Sequence, residues 1–278
     1  MFSYNPSDKT FNKYTTSEGL QTVDLTAIIA DANGNLWIGA SNGLVHRYAP
    51  RTREWNYITD IYSSSSTKKT INGFKIQGDT LFILSDVGVS IYSISQMQFD
   101  DTYQHFGPAV HQIDGGVLAL EIYGGRYYVG TESGLASTVL SNMNPSAPES
   151  WQLYDSITNL ASKAISGFAV CSDSLYAGTS SGLLSFGGGA WNLVAGTSGL
   201  NILSVCAGYI DSSGASPVSK YPLFVTSTEF WVGPGSPANA LAHAVSTVSG
   251  VSFNTIGFGN NVILGSQKNG MIMWLDSL

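Results

Sequence analysis

One short pattern recurs along the chain at nearly even spacing, and no other feature limits its folding as tightly. It reads Leu36-Trp37-Ile38-Gly39-Ala40-Ser41-Asn42-Gly43-Leu44, then Tyr128-Val129-Gly130-Thr131-Glu132-Ser133-Gly134-Leu135, then Tyr176-Ala177-Gly178-Thr179-Ser180-Ser181-Gly182-Leu183. Weaker copies are Phe82-Ile83-Leu84-Ser85-Asp86-Val87-Gly88-Val89, Phe224-Val225-Thr226-Ser227 and Ile263-Leu264-Gly265-Ser266 running on to Gly270-Met271. The second position of each copy falls at 38, 83, 129, 177, 225 and 264, in steps of 45, 46, 48, 48 and 39 residues. Each copy is a short apolar run closed by a small residue and a turn, so each reads as a strand entering a tight reversal.

The first complete unit shows how the rest of each period is filled. An apolar strand at 26–30, expected to be covered on both faces, leads to the turn Asp31-Ala32-Asn33-Gly34-Asn35, where Asn-Gly tolerates positive φ. A second strand covers 36–39, Ser41-Asn42-Gly43 reverses the chain, a third strand covers 44–48, and a more polar outer strand covers 54–58. A second recurrence marks the joints between units: YTTSEGL at 14–20, YDSITNL at 154–160 and VAGTSGL at 194–200. No stretch carries a 3.6-residue apolar period long enough for a helix. A step in the forties made of four short strands is the signature of a propeller blade. The expected fold is therefore all-β, a β-propeller of four-stranded antiparallel blades.

Counting candidates gives six inner, six second, seven third and six outer strands. The head, Ser3-Tyr4-Asn5-Pro6 with Phe11-Asn12, copies Arg47-Tyr48-Ala49-Pro50 with Trp55-Asn56, so the chain begins inside a blade at its third strand. The simplest arrangement is one domain of six blades, over about 21–62, 63–107, 108–156, 157–197, 198–247 and 248–278 completed by 1–20, closed by pairing of head and tail strands. The surplus third strand keeps a seven-bladed arrangement as the alternative.

Composition narrows the function classes. Of 278 residues 43% are hydrophobic and only 11% charged, which is core material and excludes disorder. The formal net charge of −7, with 12 Lys+Arg, lacks the basic face that nucleic acid requires. No apolar run reaches the roughly 18 residues that span a bilayer, and the opening Met1-Phe2-Ser3-Tyr4 has no signal-peptide character. Cys171 and Cys206 have no CxxC partner and read as free thiols in strands, with a bridge between neighbouring strands as the other option.

The chemical motifs are sparse. Gly178-Thr179-Ser180-Ser181-Gly182 and Gly39-Ala40-Ser41-Asn42-Gly43 both match GxSxG, but they fall at the same hairpin of two units and lack the strand–turn–helix setting of a nucleophile elbow. His46, His105, His111 and His243 have no metal-binding spacing, and Asp100-Asp101 reads as a solvated turn. No catalytic residue, metal or cofactor is expected. Trp37, Tyr128 and Tyr176 share one position in the unit and are expected to pack between adjacent blades. Arg47, Arg51 and Arg53 form either a small docking patch for anions or a solvated hairpin end stacking on Trp55.

Loops converge at the two ends of a propeller, and ligands bind there. The interblade joints and the second-to-third-strand turns share one end, which places Glu18, Asp24, Asn42, Asp86, Glu132 and Lys268, together with Ser41 and Ser180, as candidate binding residues. The other end carries Asn33, Asp79, Arg126, Asp173 and the insert at 211–220. A Gly/Pro/Ala-rich stretch at 233–244 reads as an ordinary surface loop, with a docking surface as the other option.

The run Gly34-Asn35-Leu36-Trp37-Ile38-Gly39 with Asn42-Gly43-Leu44 resembles the two-component-regulator propeller repeat, and Tyr14 to Leu20 resembles the joint between its blades. The opening Phe2-Ser3-Tyr4-Asn5-Pro6 resembles the amino-terminal propellers of PorZ-like proteins of the type IX secretion system in Bacteroidetes-type bacteria. The likeness is sharp over 1–58 and 127–200, while 201–250 departs from it. It implies a periplasmic or cell-surface module of a longer bacterial protein, sensory or secretion-associated, meeting other protein domains or cell-surface glycan. Propeller lyases also repeat a GNLW-type motif, so an enzyme with an axial site is the alternative; here only residues 34–37 carry that motif fully.

Overall fold

Within each sheet the strands follow one another in chain order, each beside the one before it. The computed structural model describes residues 1–278 except 6, 114, 143, 155–163, 172, 210–219, 234–242, 248–251, 259–261, 267–269 and 275–278. A two-stranded hairpin of β1 (Phe2–Asn5) and β2 (Thr10–Lys13) comes first. Next are the four-stranded sheets β3 (Leu25–Ala30), β4 (Leu36–Ala40), β5 (Val45–Ala49), β6 (Glu54–Ile58) and β7 (Ile71–Gln77), β8 (Thr80–Ser85), β9 (Gly88–Ser93), β10 (Gln98–Tyr103). The third four-stranded sheet is β11 (Val117–Tyr123), β12 (Arg126–Thr131), β13 (Leu135–Val139), β14 (Gln152–Leu153), and the fourth is β15 (Ile165–Cys171), β16 (Ser174–Thr179), β17 (Gly182–Gly187), β18 (Ala190–Leu193). The fifth is β19 (Ser204–Tyr209), β20 (Lys220–Val225), β21 (Glu229–Val232), β22 (His243–Thr247), and a three-stranded sheet of β23 (Thr255–Phe258), β24 (Val262–Ser266) and β25 (Gly270–Trp274) ends the series. Two single-turn 3₁₀ segments, Thr16–Glu18 and Pro148–Ser150, are the helical elements among the described residues.

By place in the unit, the described strands number six inner, six second, seven third and six outer, as the sequence count has it. Among the described residues β1 pairs only with β2 and β25 only with β24, so the expected head-to-tail ladder is not one of these sheets. The chain divides into two compact units, 1–105 with 115–117, and 106–114 with 118–278.

Packing inside each unit joins successive sheets face to face. In the first unit Trp37, Val45 and Ile58 of one sheet meet Ile71, Leu81, Ile83 and Tyr92 of the next. In the second unit Tyr128 and Leu135 meet Phe168, Leu175 and Trp191, and Tyr176 and Leu183 meet Val205 and Phe224. The three equivalent aromatics Trp37, Tyr128 and Tyr176 are thus fully buried between sheets, as their repetition predicts. The glycine following them sets the spacing: a Cβ on Gly130 would lie 2.5 Å from Ile165 and one on Gly178 would lie 2.8 Å from Ile202, so only a bare backbone admits the neighbouring chain.

Two expectations need correction. Strand β3 is not covered on both faces, because its residues alternate between half-buried and exposed, with one face turned to the second sheet and the other to solvent. Asp100 and Asp101 are not a turn; they lie within β10, at a bulge where the register with β9 shifts between Phe99 and Asp101. A bulge leaves one residue of the strand without an opposite number.

Candidate functional site

The second-to-third-strand turns are built alike. Among the described turns, a hydroxyl at the end of the second strand closes four of them. Thr131 Oγ1 accepts from Ser133 N and Gly134 N, both at 3.0 Å, and Thr179 Oγ1 accepts from Ser181 N at 3.0 Å and donates to Gly182 O at 2.8 Å. Ser85 and Thr226 repeat the device. Where the first sheet has Ala40 instead, the Asn42 side chain takes over, accepting from Leu44 N at 3.2 Å. Both GxSxG matches therefore lie on hairpin turns between strands.

These turns are tied to the start of the inner strand of the same sheet. Ser41 Oγ donates to the Asp24 carboxylate, and Ser41 N donates to Asp24 O at 3.1 Å. Asp86 accepts from Thr70 N at 2.9 Å and from Asn72 Nδ2 at 3.1 Å. Glu18 accepts from Thr15 N at 2.6 Å and from the Thr15 hydroxyl at 2.5 Å, closing a capping box on the 3₁₀ turn. The Thr15 hydroxyl, with its backbone amide, holds the Glu18 carboxyl below the ordinary carboxylate range. Of the sequence-selected residues, Asp24 and Asn42 serve the same turn, Asp24 through Ser41 and Asn42 through Leu44 N, Asp86 and Glu18 each serve their own, and Glu132 is exposed in the β12–β13 turn. Lys268, the joint at 155–160, most of the 211–220 insert and most of the 233–244 stretch lie outside the described residues.

The three arginines divide between two settings. Arg47, on β5, lays its guanidinium over the Trp37 ring at 5.7 Å, whereas Arg51 and Arg53 are exposed at the β5–β6 turn. Trp55 stacks instead on Tyr48, ring centroids 4.5 Å apart.

Two polar groups that matter to the first sheet are structural. Asp31 is buried and accepts from Asn33 N and Asn35 N, from Asn35 Nδ2 and, at 3.1 Å, from Trp37 Nε1. Burial works to raise its carboxyl, but these hydrogen bonds, the Asn35 side chain foremost, outweigh it and hold the group below its ordinary value. His46 is fully buried. Its Nε2 accepts from Gln21 N at 3.0 Å, which leaves the ring proton on Nδ1, facing Ile38 O at 3.4 Å. Burial pushes its pKa down, although the Ile38 carbonyl opposes this. Asp31 was legible as the head of an Asx-type turn; His46 carried no sequence signal beyond its place in a strand.

Two depressions are found that no motif announced. A groove of about 350 Å³ in the first unit is lined by Asp60, Ser90, Phe99, Asp100, Asp101 and Thr102, among others. A smaller one of about 150 Å³ in the second unit lies between His111, Ser133 and Tyr154. Among the described residues no group of three His, Cys, Asp or Glu side chains is placed to hold a metal. Cys171 and Cys206 are free, and burial pushes both thiols up to about 12, which keeps them protonated and unreactive.

No protein-family model matches the sequence, and no curated protein matches it. Solved structures match it over nearly its whole length. The extracellular domain of the hybrid two-component system BT4673 from B. thetaiotaomicron is 15% identical over 93% of this chain and 33% of that chain, with a TM-score of 0.68. PorZ, a bacterial surface component of the type-IX secretion system of Porphyromonas gingivalis, is 12% identical over 95% of this chain and 32% of its own, with a TM-score of 0.67. The chain has the fold of a β-propeller. The WD40 β-propeller domain of Doa1 matches as well, at 10% identity over 90% of this chain and 77% of that one, with a TM-score of 0.62. The first two neighbours are of the two kinds that the sequence resembles, and the chain spans about a third of their length. No helix among the described residues is long and apolar enough to cross a membrane.

Proposed function

We propose that this propeller is an extracytoplasmic binding or scaffold module of a bacterial surface or sensory protein, acting through contact with other protein domains or cell-surface glycan and performing no chemistry of its own. The carrying observation is what the turn-end side chains do. Asp24, Asn42, Asp86 and Glu18 are engaged in their own turns and in fastening the inner strands. Such turns are pre-organised, so they present a fixed relief at low entropic cost on contact. Catalysis instead asks for an acid, a base and a nucleophile aimed at one point. The neighbours add support: one is an extracellular domain of a two-component system and one a surface component of a secretion system.

The test is to immobilise the 278-residue protein and screen it against bacterial surface polysaccharides and envelope-protein fractions. The expected result is saturable binding that falls tenfold or more in Glu132→Ala, with the bound polymer recovered at unchanged mass. Binding that ignores substitution at the turns, or a polymer returned cleaved, overturns the reading and favours an axial active site.

A further inference from the structure

Six of the seven third strands, β5, β9, β13, β17, β21 and β25, are hydrogen-bonded along one edge by a second strand; β1 is the seventh, and no described strand lies on that edge. The hairpin β1–β2 repeats β5–β6 in register, since Tyr4 pairs with Phe11 as Tyr48 pairs with Trp55. Met1 and Tyr14 exchange both backbone bonds, Tyr14 N to Met1 O at 2.8 Å and Met1 N to Tyr14 O at 3.1 Å. Bonded pairs alternate along an antiparallel ladder, so Ser3 and Asn5 bond to β2 while the N–H and C=O groups of Phe2 and Tyr4 point outward. Their counterparts His46 and Tyr48 use those same groups to bond Ile38 and Leu36 of β4.

Side-chain exposure follows the missing pairing. Phe2 is 65% exposed, whereas its counterpart His46 is 0% exposed. A second deficit lies in the same unit. Ile28 of β3 stands opposite Ile38 as Phe168 of β15 stands opposite Ala177, yet Ile28 is 59% exposed and Phe168 only 9%. Phe168 is covered by the sheet that precedes its own, through Tyr128 and Leu135. Inner strands of successive sheets are neighbours, as β3 is of β7 and β15 of β19. One inner strand and one second strand would therefore fill both gaps.

We propose that the β1 edge is a strand acceptor, and that it takes an additional repeat hairpin, an inner strand followed by a second strand of the Leu-aromatic-aliphatic-Gly type. The second strand pairs antiparallel with Phe2 and Tyr4, and the inner strand covers Ile28. The affinity comes from main-chain bonds and the selectivity from the alternate side chains, as in other cases of strand addition. This makes a third four-stranded sheet in the first unit from the surplus third strand. The inference rests on the fold and the strand pairing, not on the binding role above.

The probe is a backbone-cyclised peptide carrying residues 25–40, the hairpin that already pairs with β5. Added to the 278-residue protein, it should bind saturably and slow amide exchange at Phe2 and Tyr4 at least tenfold. The same peptide with Ile38→Pro should not bind. In the protein, Tyr4→Pro removes an outward N–H that β2 does not use, so binding should weaken tenfold or more while Ser3 and Asn5 keep their exchange protection. Phe2 and Tyr4 amides already protected without peptide overturn the proposal. Protection independent of concentration would assign the edge to β25, and protection rising with concentration would assign it to a second copy. Failure of the peptide to slow these amides, or indifference of binding to Tyr4→Pro, overturns it equally.

Discussion

Two buried tryptophans, one in each unit, solve the same problem in opposite ways. Trp37 is buried between the first two four-stranded sheets and its indole N–H is satisfied by the Asp31 carboxylate. Trp191 is buried beside Phe168 and Phe186, with Tyr128 and Tyr154 close by, and its N–H has no partner. The first site is a polar network that also organises the β3–β4 turn. The second is an aromatic cluster in which edge-to-face and tilted rings supply contact area and the unpaired N–H is tolerated. A blade of this fold is thus specified either by a satisfied hydrogen-bond network or by ring packing, and the two fail differently.

The largest difference should follow Asp31→Ala. It strands the Trp37 indole and three turn donors, at a cost of about 2–4 kcal/mol to the first unit. Hydrogen-exchange protection in β3–β6 should drop while β15–β18 is unchanged; equal loss in both would break the contrast. Because the folded Asp31 carboxyl is depressed, its contribution is present above its unfolded pKa of about 3.8 and is lost as pH falls further.

The next effect is pH dependence of the first unit through His46. Its folded pKa is also depressed, so its contribution is complete above the unfolded value of about 6.5 and declines as pH drops below that toward the folded pKa. Protonation puts an N–H against the Gln21 N–H, so the protection of the Gln21 amide relative to its intrinsic exchange rate should fall on acidification. In His46→Asn this pH-dependent fall should vanish; if it persists, another group is titrating.

The smallest effect sharpens the comparison most directly. Trp37→Phe removes the donor that Asp31 accepts from and should cost about 1–3 kcal/mol. Trp191→Phe deletes an N–H that is already unpaired and should stay within about 1 kcal/mol of the parent in chemical denaturation. Equal costs for the two would mean that ring area, not polar satisfaction, governs both sites.

Much of this architecture is legible in the sequence. The recurrence around Trp37, Tyr128 and Tyr176 located the second strands, and the outer strand at 54–58 fell where the polar run placed it. Strand, turn and repeat signals are local: an alternation, a glycine or a hydroxyl constrains its own few residues whatever surrounds them. The reading of Asp100-Asp101 failed because a β-bulge looks like a turn from side chains alone. The arginine cluster dissolved for a similar reason. Neighbours in sequence on a strand and its hairpin end point to different places, and Arg47 went to Trp37 while its companions stayed in solvent.

The chain's own order of residues determined that it would be a series of four-strand antiparallel units, which aromatics would lie between sheets, and that a third strand was left over. Those follow from periodicity and turn chemistry, which act within one repeat. Only the tertiary structure decided that the carboxylates of Glu18, Asp24 and Asp86 are spent on fastening their own turns, that His46 sits neutral beneath the first joint, and that no described strand lies on one edge of the leftover strand. Each of those depends on which backbone group finds a partner across a distance in sequence, and partners of that kind exist only once the sheets have packed.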